Sequence, residues 1–199
     1  MGQDWAFDFI KDTAASFSIG APTDNDENDS ALTITVLSIP TGGVLTTSQG
    51  TVLTTDMTLA PSLLEGLTFT PNANANSDAD EIGTLILRVT DSSGASDSAT
   101  FTFVVTAVND LPTDISITAS SIAENVAGIA VGTISTDDPD LDNTFTLSGT
   151  DADKFELSGT TLKLKDTVTA DFETQSSYSV VVTATDSATS ISETFIISV

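Results

Sequence analysis

Leu87-Arg88-Val89-Thr90-Asp91-Ser92, followed by Thr100-Phe101-Thr102-Phe103-Val104-Val105, recurs about 95 residues later. The second copy reads Val182-Thr183-Ala184-Thr185-Asp186-Ser187 and then Thr194-Phe195-Ile196-Ile197-Ser198-Val199. Upstream, Thr23-Asp24-Asn25-Asp26 precedes Leu32-Thr33-Ile34-Thr35, and Asp138-Pro139-Asp140 precedes Thr144-Phe145-Thr146-Leu147. Acidic Asp12 and Glu124 stand at similar distances before those aspartate clusters. Landmarks in one order, met twice, define an internal repeat.

Within each copy the apolar period is two. Phe101, Phe103 and Val105 share one face and Thr100, Thr102 and Val104 the other, as in a half-buried strand. Short Val/Ile/Thr/Phe runs are separated by turn clusters such as Pro40-Thr41-Gly42-Gly43 and Asp91-Ser92-Ser93-Gly94. Helical signal is confined to Ala60-Pro61-Ser62-Leu63-Leu64-Glu65-Gly66, where proline starts and glycine stops a single turn. Many short strands with turn signals predict an all-β sandwich in each half. Trp5, Phe7 and Phe9 alternate as a first strand, and all three are expected in the core.

Composition narrows the function. The 199 residues hold 29 acidic and 5 basic side chains and no histidine, a formal charge of -24. Such a surface repels phosphate backbones and anionic lipid, which excludes nucleic-acid binding and membrane-surface roles. It attracts cations, although a solvated, salt-adapted surface would carry the same charge. A hydrophobic fraction of 39% argues for a packed protein rather than disorder. Without cysteine there are no disulfides, thiolate sites or cysteine nucleophiles, and metal is the usual substitute staple. Oxygen ligands alone favour calcium or magnesium over zinc or copper. No run of about 18 apolar residues is present, so membrane insertion is not expected. Met1-Gly2-Gln3-Asp4 lacks the basic and apolar regions of a signal peptide, so export would depend on signals elsewhere in a longer chain.

The second half, from residue 110 to 199, resembles the cadherin repeat, and specifically the cadherin-like modules of large bacterial surface adhesins of the RTX type. Ile122-Ala123-Glu124-Asn125 is similar to the family's early glutamate motif, and Asp138-Pro139-Asp140 to its paired aspartates. Asp171-Phe172-Glu173 before Tyr178-Ser179-Val180-Val181-Val182 resembles the acidic pair preceding the penultimate strand, and Thr185-Asp186-Ser187 its lone aspartate. The first half is a more distant relative, recognisable in Gly66-Leu67-Thr68-Phe69-Thr70-Pro71-Asn72. It lacks the acidic pair, leaving Glu65, Asp78 or Asp80 as substitutes. Val108-Asn109-Asp110-Leu111-Pro112 resembles the cadherin linker, with leucine in place of the second asparagine. The resemblance implies two tandem immunoglobulin-like, cadherin-like Greek-key β-sandwiches, residues 1–107 and 108–199, with 108–112 as a calcium-binding linker.

It also implies a ligand set. A junction calcium would draw on Asp12 of the first module, on Asn109 and Asp110 of the linker, and on Asp138, Asp140 and Asp186 of the second, with the backbone carbonyl of Asn143. Matching half-sites are expected at the ends: Asp24, Asp26 and Asp91 in module one, and Glu124, Asp171 and Glu173 in module two. Val105 is followed directly by the linker whereas its counterpart Val199 ends the chain, so a longer parent array is expected. An EF-hand is a poorer reading of Asp24-Asn25-Asp26-Glu27-Asn28, because Asp29 replaces the required glycine and Thr35 the bidentate glutamate.

Histidine triads are excluded by composition, no phosphate-cradling loop is present, and chance carboxylate pairs are expected among so many acids, so no enzyme activity is expected. The expected function is a calcium-rigidified extender of a bacterial cell-surface adhesin, supporting cell adhesion and biofilm formation. It would be an extracellular monomer whose partners are neighbouring repeats of the same chain. The alternative is direct adhesion, with a module binding a glycan, a peptide, another cell-surface or matrix ligand, or itself.

Overall fold

The structure, a computed structural model, describes residues 5–23, 31–140, 143–187 and 189–199. The chain divides into two compact units, Met1–Val108 and Asn109–Val199. Among the described residues, no helix is long and apolar enough to cross a membrane.

In the first unit, β1 (Trp5–Ile10) runs parallel to β8 (Ser96–Thr106), in register from Trp5 opposite Phe101 to Ile10 opposite Thr106. The sheet continues through β7 (Thr84–Thr90), β3 (Thr33–Ser38) and β5 (Thr58–Leu59) in the order β1-β8-β7-β3-β5. A second sheet is β2-β6-β4, from Ala15–Phe17, Leu67–Pro71 and Gly43–Thr46. The chain changes sheets between β1 and β2, at a turn where Asp12 takes a positive φ of 57°. Aspartate tolerates that left-handed conformation better than most residues.

Alternation fills the space between these sheets. Phe101, Phe103 and Val105 of β8 are all buried, as are Phe9, Ile34, Leu85, Leu67 and Phe69. The Phe69 and Phe103 rings meet edge to face at 4.8 Å, and Phe9 stacks on Phe103 at 5.3 Å. Each such pair adds about 1 kcal/mol beyond area burial. Gly43 starts β4 because a Cβ there would lie 2.5 Å from the Phe69 ring. The helical signal at 60–66 becomes one 3-10 turn, Pro61–Leu64, ended by Gly66 at φ 68°.

One core expectation is corrected. Phe9 is buried and Phe7 packs against the core, but Trp5 is 50% exposed. The opposing strand β2 spans only Ala15–Phe17, and Phe17 reaches Phe7 at 4.4 Å. Beyond that point no strand among the described residues covers the start of β1, and a cavity of about 380 Å³ opens there. It is lined by Trp5, Phe7, Ile19, Ala99 and Phe101.

The second unit repeats the plan. Its sheets are β12-β13-β10-β9 (Phe155–Ser158, Thr161–Leu164, Ala130–Thr136, Ile115–Ile117) and β11-β14-β15 (Thr144–Ser148, Ser177–Thr185, Ser190–Ser198). Here too the first segment changes sheets, since Ser121 bridges Ser198 in parallel after β9 has paired with β10. Tyr178, Val180, Val182 and Ala184 of β14 line the core with Leu162, Leu164 and Ile197.

A buried carboxylate ties together the segments around the start of β14. Asp151 accepts bonds from the Lys154 ammonium at 2.6 Å, the Gln175 amide at 3.0 Å and the Ser179 N–H at 2.8 Å. The Lys154 ammonium foremost, then Gln175 and Ser179, lower its pKa from 3.8 to about 2. A depressed folded pKa contributes stability above the unfolded value, lost as pH falls through the folded one. Asp151→Ala is therefore expected to lower the unfolding free energy by about 2 kcal/mol at pH 7, leaving Lys154 without its carboxylate. Urea titrations should show the gap between wild type and variant narrowing as pH falls from 4 towards 2.

Candidate metal centre

The linker-bearing end of the second unit is built by three segments. β10 ends at Thr136 and β11 begins at Thr144, so the Asp138-Pro139-Asp140 loop is anchored on both sides by sheet. β14 ends at Thr185, which delivers Asp186 into the next turn. The residues just after the linker reach this loop by paired backbone bonds: Thr113 N–H donates to Asp137 O and Asp137 N–H to Asp114 O.

These segments share a hydrogen-bond network. Asp138 Oδ1 accepts the Asp140 N–H at 2.9 Å, a turn that aspartate forms readily. Asp138 Oδ2 accepts the Asn143 amide, which also donates to the Thr136 hydroxyl at 3.0 Å. Asp140 Oδ2 accepts the Asp110 N–H. Asp186 Oδ1 accepts the Thr189 N–H at 2.7 Å, and Oδ2 the Asn109 amide at 3.1 Å. The Ser187 hydroxyl in turn donates to Asn109 Oδ1 at 3.1 Å. Asn109, Asp110, Asp138, Asp140, Asn143 and Asp186, all named from sequence, thus belong to one network.

Two of its carboxylates are buried, Asp138 at 3% exposure and Asp186 at 7%. Asp138 is held by neutral N–H donors, unlike Asp151 with its ammonium. Among the described residues, the Asn143 Oδ1 is buried with no hydrogen-bond partner, which leaves its desolvation uncompensated by them. Asn143 enters through its side-chain amide, a contribution not anticipated from sequence. Among the described residues, no group of three or more Asp or Glu side chains converges closely enough to hold a metal by itself.

At the opposite end of this unit, Glu124 Oε2 accepts the Phe172 N–H at 3.4 Å, which brings it beside Asp171-Phe172-Glu173. Asp171 is turned inward on its own loop. It accepts the Thr174 hydroxyl at 2.7 Å and the Glu173 and Thr174 N–H groups, and the hydroxyl foremost holds its carboxyl below the ordinary value. Glu173 is exposed.

The first unit differs. Asp24 and Asp26 lie outside the described residues. Asp91 closes the hairpin after β7, its Oδ1 accepting the Ser93 hydroxyl and the Ala95 N–H, both at 2.8 Å. Asp12 Oδ1 accepts the Asn74 N–H at 2.8 Å, fastening the loop after β6. Asp78 and Asp80 belong to that loop, where Asp80 Oδ2 accepts the Asn76 N–H at 3.3 Å. Glu65 precedes β6 and so lies at the other end of that strand. Sequence reasoning missed Lys11, which is 3% exposed and donates from Nζ to Val108 O at 2.9 Å. The alternation Phe7, Phe9, Lys11 carried the signal, because it places the lysine on the inward face.

No protein-family profile matches this sequence, and neither does any curated protein. Solved structures do resemble it. Domains EC3-6 of protocadherin gammaB7, solved as a cis-dimer, match with TM-score 0.61 and 18% identity over 98% of this chain and 46% of theirs. EC1-4 of PcdhgB3 match at 0.62 and 17%, over 98% and 47%. Mouse cadherin-23 EC22-24 match at 0.55 and 15%, over 98% and 62%. The fold is that of tandem cadherin domains. The chain spans about half the length of the protocadherin structures and under two thirds of the cadherin-23 one.

In this cadherin-like frame the second unit's network acts as structure even without an ion. Asp138→Ala removes the acceptor for the Asp140 N–H and the Asn143 amide. The expected outcome is a loss of about 1–3 kcal/mol by urea denaturation in excess chelator.

Proposed function

We propose that this chain is a pair of extracellular spacer modules of a bacterial surface adhesin, ordered by calcium at the linker-bearing end of the second unit. The observation that carries this reading is the shared network of Asn109, Asp110, Asp138, Asp140, Asn143 and Asp186 around buried carboxylates and the unsatisfied Asn143 oxygen. The donor set is all oxygen, the chemistry that a hard divalent cation selects. Asp110, Asp138, Asp140 and Asp186 would hold the ion with the amide oxygens of Asn109 and Asn143, because carboxylate and amide oxygens are the ligands such a cation takes. Asp12, Asp24, Asp26, Asp91, Glu124, Asp171 and Glu173 would complete weaker sites with neighbouring repeats. The bound ion would supply positive charge that turns carboxylate repulsion into a crosslink, favouring the ordered linker by differential affinity. A spacer needs no catalytic group, which agrees with the absence of histidine and cysteine. The bacterial, exported setting rests on the acidic, cysteine-free composition and on the sequence resemblance.

Extracellular calcium modules bind at about 10⁻⁴–10⁻³ M, so 10 mM calcium should add about 2 kcal/mol of stability. Calorimetric titration should give saturable heat, and the melting temperature should rise by roughly 4 °C or more over chelator. Small-angle scattering should report a narrower distribution of interdomain geometries with calcium. Absence of both heat and melting shift would sink this reading.

A second reading, direct ligand binding by the first unit, is favoured by the half-exposed Trp5 beside its apolar cavity. As the one tryptophan of the chain, Trp5 reports directly on occupancy. On this reading its fluorescence shifts saturably with a glycan or peptide from an array, and Trp5→Ala abolishes capture. Unchanged emission across the array, with no self-association in a concentration series, leaves the spacer reading alone.

A further inference from the structure

Lys11 stands where the second unit has a glutamate. In the second unit Ser121 bridges Ser198 in parallel, and in the first Asp8 pairs with Val104, the counterpart of Ser198 in the repeat. Three residues on from each, Lys11 therefore matches Glu124, and the left-handed Asp12 matches the left-handed Asn125. Lys11 is 3% exposed, with its N–H on Thr106 O at 3.0 Å. An inward-facing ammonium is costly to bury unless oxygens receive it. One oxygen it reaches is the carbonyl of Val108, 97 positions away in sequence and immediately before Asn109.

Its surroundings are otherwise acidic. Asp12 spends one carboxylate oxygen on the Asn74 N–H, and the loop it fastens carries Asp78 and Asp80. Among these acids the first unit places a positive charge where the second has the negative Glu124.

We propose that Lys11 is a built-in cation that fastens the outgoing chain at Val108, doing at this end of the first unit what a metal ion would otherwise do. A charge-assisted N–H···O bond from a buried ammonium orders the departing strand without any ion. The same charge opposes entry of a divalent cation, because like charges at close range repel strongly where water is scarce. Only this second consequence rests on the calcium reading.

The test compares wild type, Lys11→Met and Lys11→Arg in the full chain. Methionine keeps the linear apolar stem and removes the charge, whereas arginine keeps the charge. In excess chelator, hydrogen exchange of segment 106–112 should be at least several-fold faster in K11M than in wild type, with K11R close to wild type. In calorimetry, K11M should bind an additional calcium ion, or bind calcium on the order of tenfold more tightly. If exchange of 106–112 in chelator is the same in all three proteins, the proposal is overturned. Should K11M not fold, slow wild-type-like exchange in K11R supports the proposal, and fast exchange in wild type itself overturns it. Faster exchange in K11M together with no calcium binding by any protein would sustain the lysine fastening and refute only the calcium reading.

Discussion

The constraint on which both units depend is the burial of one face of a long final hairpin, β7–β8 in the first and β14–β15 in the second. Phe101, Phe103 and Val105 of β8 and every second residue of β14 are committed to the core, so neither strand can slip by one position without exposing a row of apolar side chains. The other elements are arranged by that commitment. β3 and β11 add antiparallel on one side, and the opening segment adds in parallel on the other. Because the hairpin register is pinned, the turns at its ends are pinned as well, which is how Asp91 and Asp186 come to fixed positions at the same end of each sandwich.

Strong acidity makes the treatment of buried charge the second organising theme. Among the described residues three aspartates are buried, Asp138, Asp151 and Asp186, and they are stabilised in different ways. Asp151 has an ammonium, an amide and a backbone N–H, and its depressed pKa reflects that company. Asp138 has neutral donors only among its recorded hydrogen bonds, so its charge is solvated by dipoles that an external cation would supplement. Lys11 is the reverse case, a positive group buried in a chain with few of them and directed at a backbone carbonyl. A sandwich with a sealed core can carry such groups only at its ends, where loops supply backbone donors and acceptors.

Much of the fold was legible because period two and repeated turn residues are local properties. The Phe101-Phe103-Val105 face, the single turn at Pro61–Leu64 and the doubling of the sandwich all follow from spacing. The six linker-end residues were named from their order along the chain, and the structure joins them in one hydrogen-bond network. Trp5 was not legible, because its alternation with Phe7 and Phe9 says nothing about where the opposing strand stops. The loss of Glu65 from the neighbourhood of Asp12 likewise depends on which end of β6 each loop leaves.

The sequence by itself determined that this chain is β throughout, that its plan occurs twice, and which oxygen-bearing residues recur at the strand ends. These are consequences of side-chain period and turn chemistry, and each acts within a few residues. Only the tertiary structure decided which carboxylates are buried, that Asn143 joins through its side chain with an unsatisfied oxygen, and that Lys11 reaches Val108. Those outcomes rest on contacts between residues far apart in sequence, where packing of the two sheets and the lengths of opposing strands set the distances.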